Sequence, residues 1–228
     1  MKTASGHEAR EETVAIALKD ARLSGDLRVP SGACGIVIFA HGSGSSRLSP
    51  RNRFVADYLF KKKIGSLLFD LLTEEEEARD AMTGAFRFDI PFLTGRLCAA
   101  TDWLVARLKA QKRELPLGYF GASTGAAAAL AAAAAKPELI RAVVSRGGRP
   151  DLAAAALAKV RAPTLLIVGG SDTAVIKLNQ DACRELRVEK DIHIVPNATH
   201  LFEEPSALEE VAAAAAQWFA RHFTAIGK

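Results

Sequence analysis

Cysteine is scarce in this 228-residue sequence. The three cysteines, Cys34, Cys98 and Cys183, are an odd number, and none of them forms the CxxC spacing of a metal-binding or redox motif. A disulfide framework and a structural zinc site are therefore not expected. The low cysteine content also favours a reducing compartment.

Long apolar runs are absent as well. No stretch approaches the roughly 18 residues that a membrane-spanning helix needs. The first residues, MKTASGHEAREE, lack the apolar core of a signal peptide. We therefore expect a cytoplasmic protein that does not associate with a membrane, with residues 1–12 frayed.

The excess of positive charge is small. Lys and Arg number 30 against 26 Asp and Glu, so the net charge is +4. The densest basic cluster, Lys61–Lys63, has no interleaved aromatic residues and is typical of a solvated helix end. A surplus this weak gives no support for a polyanionic partner, so nucleic-acid binding is not expected.

The apolar content of 49% and the charged content of 25% are typical of a soluble globular protein. Short runs that are apolar almost throughout recur along the chain, which is typical of strands covered on both faces of a parallel sheet. These runs are 36–40, 66–69, 117–120, 142–145, 164–168 and 192–195. Helices are predicted between and after them at about 51–63, 92–113, 124–135, 151–159, 175–187 and 205–223.

The alternation of strand and helix predicts an α/β fold, a doubly wound and mostly parallel sheet with helices on both faces. The segment Thr13–Val29 precedes this pattern and carries Ser24-Gly25-Asp26 at its centre. It predicts an antiparallel hairpin at the sheet edge, with Gly25 in the turn. Because no linker divides the chain, we expect one domain over residues 1–228.

A possible nucleophile follows the predicted strand at 117–120. The sequence GASTG at 121–125 matches the G-x-S-x-G nucleophile elbow, and it lies between a strand and a helix as that motif requires. Ser123 would then present its hydroxyl at a helix N-terminus, where developing negative charge is favoured. The alternative is an ordinary helix start with Ser123 or Thr124 as N-cap.

His200 is the best candidate for a general base among the five histidines. It lies in a loop after the last predicted strand and just before the final predicted helix. A serine hydroxyl is a poor nucleophile near neutral pH unless a neighbouring imidazole takes its proton. The alternative is a surface-loop histidine without a catalytic role.

Asp172 is the candidate acid that would hold the imidazole tautomer and stabilise the imidazolium. It ends the sequence GGSD, directly beyond the predicted strand at 164–168. Asp151 and Asp70 are rivals because each also follows a predicted strand. Asp172 could otherwise be a simple helix N-cap.

The sequence HGSGSS at 41–46 fits an oxyanion hole, which needs two N–H donors directed at the carbonyl oxygen. Thr124, the residue after the nucleophile, would supply one donor and Ser43 the other. Gly42 or Gly44 could replace Ser43 by a shift of one residue. A phosphate-binding loop is the alternative, but the Lys-Ser/Thr ending of a P-loop and the G-x-G-x-x-G spacing are both missing.

The chain resembles the α/β-hydrolase superfamily, because it carries four motifs of that superfamily in the same order: HGSGSS, GASTG, GGSD and ATH. The compact chain is most similar to its dienelactone hydrolase-like branch from about residue 36 to residue 223. The resemblance implies an α/β-hydrolase fold with the nucleophile at Ser123, the acid at Asp172, the base at His200 and oxyanion donors near Ser43 and Thr124. Dienelactone hydrolases proper carry a cysteine at the nucleophile position. The serine found here therefore favours ordinary ester chemistry.

The lengths of the segments that connect the predicted strands indicate the size of the substrate. Many α/β-hydrolases insert a lid between the sixth and seventh strands, but here 146–163 has room for only one helix, so no large lid is expected. An open, shallow site suits short or compact esters. The segment 71–92 is another possible cover, in which Phe86, Phe88 and Phe92 could form an apolar wall and Glu74–Glu77 a solvated face.

Arg146 stands beside the predicted strand ends. Its guanidinium could bind a substrate carboxylate or pair with a local acid, and the second role is the commoner one.

The combined prediction is a serine esterase that acts on a small-molecule ester and needs no metal or organic cofactor. A thioesterase, amidase or acyltransferase would use the same three residues. A binding protein on a hydrolase scaffold is the alternative from a different class.

Overall fold

The computed structural model describes residues 9–224. An eight-stranded sheet forms its centre, in the order β1-β2-β4-β3-β5-β6-β7-β8. Its strands are β1 (Arg10–Ala17), β2 (Arg22–Val29), β3 (Gly35–Ala40), β4 (Ile64–Phe69), β5 (Leu117–Ala122), β6 (Ile140–Arg146), β7 (Thr164–Gly169) and β8 (Lys190–Val195). β2 pairs antiparallel with both β1 and β4, and the remaining neighbours pair in parallel.

Helices cover both faces of the sheet. They are α1 (Pro50–Lys61), α2 (Glu74–Thr83), α3 (Ile90–Ala110), α4 (Thr124–Ala135), α5 (Ala154–Leu157), α6 (Thr173–Glu185) and α7 (Ala207–Phe223), and a 3₁₀ turn at Pro150–Ala153 leads into α5. α1 and α7 pack on one face, and α3, α4 and α6 pack on the other. The predicted doubly wound α/β fold is confirmed.

Each inner strand is buried on both faces because its side chains alternate between two cores. In β3, for example, Ile36 and Ile38 join the core under α3 and α4, whereas Val37 and Phe39 join the core under α1 and α7. This is why the sequence shows continuous apolar runs instead of alternation. Within residues 9–224, no helix is both long and apolar enough to cross a membrane.

The N-terminal hairpin differs from the prediction in its turn. The strands join at 18–21, where the Leu18 N–H donates to the Ala21 carbonyl at 2.8 Å. Gly25 lies within β2 opposite Val14, and a Cβ there would be only 3.2 Å from Val14 Cγ2. The glycine therefore serves close packing within the sheet, and its predicted place in the turn was wrong.

The expected fraying of residues 1–12 is wrong for Arg10–Glu12. These residues pair with Leu27–Val29 of β2, and Glu12 also accepts a hydrogen bond from Arg107 of α3 at 2.6 Å. Sheet pairing and this ion pair hold the start of β1 in place. Residues 1–8 lie outside the described residues, and the extent of the domain stays a prediction.

α2 was not predicted as a helix, although its start carries a clear sequence signal. Thr73 accepts from the Glu76 N–H, and the Glu76 carboxylate accepts from the Thr73 N–H, which together form a capping box. Glu74, Glu75 and Glu77 are exposed, as expected for a solvated face. α2 buries almost nothing apolar, so its sequence lacks the periodicity by which helices are recognised.

The start of α4 packs directly against the end of β3. A Cβ on Gly125 would lie 2.2 Å from the Ala40 carbonyl oxygen and 2.4 Å from that of His41. The alanines that follow are small enough to keep the whole helix close to the sheet, and most of them are fully buried. This contact fixes where the residue before α4, Ser123, sits above the sheet edge.

We predict that Gly125→Ala destabilises the protein by at least about 3 kcal/mol, because the added methyl must displace two backbone carbonyls. Gly95→Ala is the matched control, since Gly95 lies exposed in α3 with no atom within 4 Å of the added Cβ. The control should be neutral or stabilise by about 0.5–1 kcal/mol. Urea unfolding of both variants measures these differences, and equal stability of the two would contradict the packing described.

Candidate active site

Ser123 occupies a strained turn between β5 and α4. Its backbone has φ 51° and ψ −120°, a conformation that non-glycine residues adopt only when their surroundings hold them there. The Ser123 N–H donates to the Arg146 carbonyl at 3.2 Å, and the Ser123 carbonyl accepts from the Arg149 N–H at 3.1 Å. The Ser123 side chain makes no capping hydrogen bond with α4. The geometry therefore matches a nucleophile elbow better than an N-cap.

Asp172 and His200 meet above the ends of β7 and β8. Asp172 Oδ2 lies 2.7 Å from His200 Nδ1. The Asp172 side chain is 16% exposed and the His200 side chain 40% exposed. Because a carboxylate can only accept, the hydrogen of the neutral imidazole sits on Nδ1, and Nε2 is left as an acceptor.

The His200 ring lies beside Gly147, close to the serine turn. A Cβ on Gly147 would be 3.4 Å from both Cε1 and Nδ1 of His200, and Gly147 has φ 51°. Gly147 directly follows Arg146, whose carbonyl holds the Ser123 N–H. In the described part of the chain His200 makes no hydrogen bond to Ser123 Oγ. Catalytic hydrogen bonds are often long when no substrate is bound.

The two rival carboxylates have other partners. Asp151 accepts from Arg149 Nε at 2.9 Å and from Nη2 at 2.7 Å. Asp70 accepts from the Arg47 N–H at 2.7 Å and pairs with the Arg47 guanidinium. Asp172 is thus the one of the three candidate acids that contacts His200.

The loop 41–46 lies against the serine turn, where an oxyanion hole was predicted. A Cβ on Gly42 would be 3.1 Å from Ser123 Cβ. The Ser43 N–H donates to Thr124 Oγ1 at 3.0 Å, and Ser43 Oγ is also 3.0 Å from Thr124 Oγ1. The Thr124 N–H, at the first position of α4, has no acceptor among residues 9–224.

His41 is a site residue to which the sequence analysis gave no role of its own. It is 7% exposed, and both of its ring nitrogens are engaged. Nε2 is 3.0 Å from the Leu71 N–H, and Nδ1 is 3.0 Å from the Gly42 carbonyl oxygen. Burial lowers the pKa of His41 below its usual value, against weaker opposing effects of the Gly42 carbonyl, Asp70 and Glu77.

The segment 71–92 covers one side of the loop 41–46. Asp80 accepts from the N–H groups of Phe86 and Arg87 at 2.7 and 2.9 Å, which folds the chain after α2 back toward the site. Burial alone would raise the pKa of Asp80, but these donors and the Arg87 guanidinium outweigh it and lower the pKa. Between this segment and the loop lies a cavity of about 20 Å³, lined by residues that include Ser43 and Thr124. It has room for about one water molecule.

The three phenylalanines of this segment differ in their surroundings. Phe86 and Phe92 pack against one another with their ring centroids 5.2 Å apart and their planes tilted by 39°. Phe88 is 59% exposed. Two of the three rings predicted to form an apolar wall therefore pack together.

Arg146 is buried beneath the site at the end of β6. Its Nη2 is 3.5 Å from Asn52 Oδ1, and its guanidinium lies 5.7 Å from the centroid of the Phe202 ring. Burial, together with the nearby Arg51, lowers its pKa to about 10. Within residues 9–224 no carboxylate pairs with it, so the expected local acid is not found. Its contact with a substrate stays a prediction.

Among the described residues, no cluster of three or more His, Cys, Asp and Glu side chains is arranged to hold a metal ion.

Comparison with known proteins agrees with this architecture. The model of the dienelactone hydrolase family matches residues 53–228. The chain belongs to this family, and its fold is that of the α/β-hydrolases. A dienelactone hydrolase from Anabaena variabilis is 55% identical, with a TM-score of 0.91 over 95% of this chain and 99% of that one.

More distant structures share the fold alone. Carboxyl esterase 2 from the fungus Tuber melanosporum is 15% identical, with a TM-score of 0.73 over 97% of this chain and 89% of that one.

Two proteins from strains of Mycobacterium tuberculosis are each 51% identical over 218 residues, which is 96% of this chain. Both are named as proposed phosphoribosyl transferases. The chain spans about half, 48%, of their length.

Proposed function

We propose that this hydrolase is a serine esterase that cleaves short or compact carboxylic esters through an acyl-enzyme intermediate. The observation that carries the proposal is the 2.7 Å contact between Asp172 and His200 at the same sheet edge as the strained Ser123 turn. A carboxylate that orients an imidazole beside a serine is the set of groups that activates a serine hydroxyl.

In the proposed reaction, Ser123 Oγ attacks the ester carbonyl carbon while His200 Nε2 takes the hydroxyl proton. The imidazolium that forms is stabilised by Asp172. His200 then returns the proton to the leaving alcohol oxygen as the ester bond breaks, which leaves an acyl group on Ser123. A water molecule attacks this acyl group by the same route in reverse and releases the carboxylic acid.

The developing oxyanion would be held by the N–H groups of Thr124 and Ser43. The Thr124 N–H is unoccupied among the described residues, and it lies at the N-terminus of α4, where negative charge is favoured. The Ser43 N–H is bonded to Thr124 Oγ1, so the substrate oxygen has to replace that hydroxyl as its acceptor.

The size of the substrate is inferred from what surrounds the serine. Between β6 and β7 the chain forms only the 3₁₀ turn and the four-residue helix α5, so no large lid is present within residues 9–224. The segment 71–92 approaches the site but leaves a cavity of only about 20 Å³ beside Ser43. These features favour a small acyl group over a long chain.

The name of the Mycobacterium tuberculosis relatives points to a different activity. Because the chain corresponds to about half of each, we propose hydrolysis for the part that this chain represents. The three free cysteines, Cys34, Cys98 and Cys183, support the cytoplasmic location that the composition predicts.

We predict that hydrolysis of p-nitrophenyl esters is fastest for acetate or butyrate and declines toward decanoate, because the described site has no large lid and the cavity beside Ser43 is small. Ser123→Ala should lower kcat by at least about 10³-fold. Ser24→Ala, on an exposed position of β2, is the matched control and should keep the wild-type rate.

Unchanged turnover in Ser123→Ala would refute the serine mechanism. A maximum at long chains would refute the account of the pocket. Faster turnover of thioesters or amides than of matched esters would assign the same three residues to a thioesterase or an amidase, and transfer to an added alcohol in preference to water would indicate an acyltransferase. Failure of every acyl substrate would favour a binding protein.

We further predict that Asp172→Asn lowers kcat by about 10³–10⁴-fold, because an amide no longer fixes the tautomer or stabilises the imidazolium. Asp151→Asn is the matched control, since Asp151 stands at the same sheet edge but pairs with Arg149. It should stay close to wild type. Measuring kcat of both variants on one ester tests whether Asp172 is the catalytic acid. A larger loss of kcat in Asp151→Asn would assign that role to Asp151 instead.

A further inference from the structure

We propose that His41 is a positioning residue for the oxyanion hole, because its ring ties the Gly42–Ser43 peptide to the backbone at Leu71 and thereby directs the Ser43 N–H toward α4. This inference rests on the proposed esterase function. It assigns a role to a buried histidine that takes no part in the proposed proton transfers.

The two contacts of the ring fix its tautomer. The Leu71 N–H is a donor, so His41 Nε2, 3.0 Å away, has to accept and carries no hydrogen. The neutral imidazole then carries its hydrogen on Nδ1, which donates to the Gly42 carbonyl oxygen at 3.0 Å. Both polar ends of this buried ring are satisfied only in this one arrangement.

Holding the Gly42 carbonyl also holds the Ser43 N–H. The two groups belong to the same planar peptide unit and point in opposite directions. Its oxygen accepts from His41 and, at 3.2 Å, from the Ser45 N–H within the loop, and its N–H points toward Thr124, whose Oγ1 accepts at 3.0 Å. Rotation of this peptide would break these hydrogen bonds and turn the Ser43 N–H away from the first residue of α4.

Leu71, whose N–H binds the His41 ring, is held in place by the sheet. Leu71 is buried, and it follows β4 by two residues. β4 pairs with β3, the strand that ends directly before His41. The ring therefore bridges the ends of two adjacent strands. The loop 41–46 is rich in glycine and serine, and its other hydrogen bonds include those of Ser43 with Thr124 and of the Ser45 N–H with the Gly42 carbonyl. Of these, the bond within the loop does not tie it to a strand.

The environment keeps the ring neutral, as this role requires. Burial lowers the pKa of His41, and the acidic groups Asp70 and Glu77 only partly offset that effect. Asp70 is itself paired with Arg47. A protonated ring would carry a hydrogen on Nε2 and could no longer accept from the Leu71 N–H.

Two substitutions of His41 each remove one of its two contacts and keep the other. The amide nitrogen of Asn can stand near the place of Nδ1, so His41→Asn keeps a donor for the Gly42 carbonyl and loses the acceptor for Leu71. The amide oxygen of Gln can stand near the place of Nε2, so His41→Gln keeps the acceptor for Leu71 and loses the donor for Gly42. His41→Asn leaves the Leu71 N–H without its acceptor, whereas in His41→Gln the Gly42 carbonyl still accepts from the Ser45 N–H at 3.2 Å. His41→Asn should therefore lose at least as much stability as His41→Gln.

We expect His41→Gln to lower kcat by about 10²-fold with little change in KM, which is the effect of losing an oxyanion donor. His41→Asn should retain more of the wild-type kcat than His41→Gln, although its midpoint of urea unfolding is no higher. Equal kcat in the two variants, or a loss that follows stability in both, would overturn the positioning role. Inactivity of the wild type on all esters would instead refute the proposed esterase.

A second measurement needs no variant. The ¹⁵N chemical shifts of the His41 ring in the wild type should show a protonated Nδ1 and an unprotonated Nε2 throughout neutral pH. A hydrogen on Nε2 would overturn the proposal, since that tautomer cannot accept from Leu71.

Discussion

The close approach of α4 to the end of β3 is the constraint on which the site depends. Because Gly125 leaves no space for a Cβ against the Ala40 and His41 carbonyls, the helix starts directly above the sheet edge. The chain must therefore turn sharply at Ser123, in a backbone conformation that costs of the order of 1–3 kcal/mol. A hydrogen bond from the Ser123 N–H to the Arg146 carbonyl and one from the Arg149 N–H to the Ser123 carbonyl hold that turn in place. The proposed nucleophile, the loop 41–46 and the end of β6 are thereby fixed relative to one another.

The parallel sheet explains how residues far apart in the sequence meet at this point. Parallel strands place their carboxyl ends at one edge, so the loops after β3, β5, β6, β7 and β8 converge there. Asp172 follows β7 and His200 follows β8, and these adjacent strands bring the two side chains within hydrogen-bond distance. Gly147 after β6 lies beside the His200 ring, which places the ring near the serine turn.

Much of this could be predicted from the sequence because the patterns were local. The apolar runs mark the inner strands to within about two residues, and GASTG marks its turn because both glycines are needed for the tight fit. Gly25 misled the prediction of the hairpin turn, since a glycine required for packing inside a sheet looks in sequence like a glycine required for a turn. The helix α2 was missed because it has a capping box but no apolar face.

The contacts that involve several segments could not be predicted. Nothing in the order of residues indicates that Asp151 pairs with Arg149 or that Asp70 pairs with Arg47. The structure was needed to show that Asp172 is the acid in contact with His200. The role of His41 depends on Leu71, thirty residues away, and it becomes visible only once β3 and β4 lie side by side. Likewise, the pairing of the Ser43 N–H with Thr124 requires the loop and the start of α4 to be in contact.

The measurement that tests the central claim most directly is mass spectrometry of the protein after reaction with a fluorophosphonate. An activated serine should gain one phosphonyl group, located on the peptide that contains Ser123, and Ser123→Ala should gain none. Labelling of Ser123→Ala at the wild-type rate, or of wild type at a different serine, would contradict the assignment of Ser123 as the nucleophile.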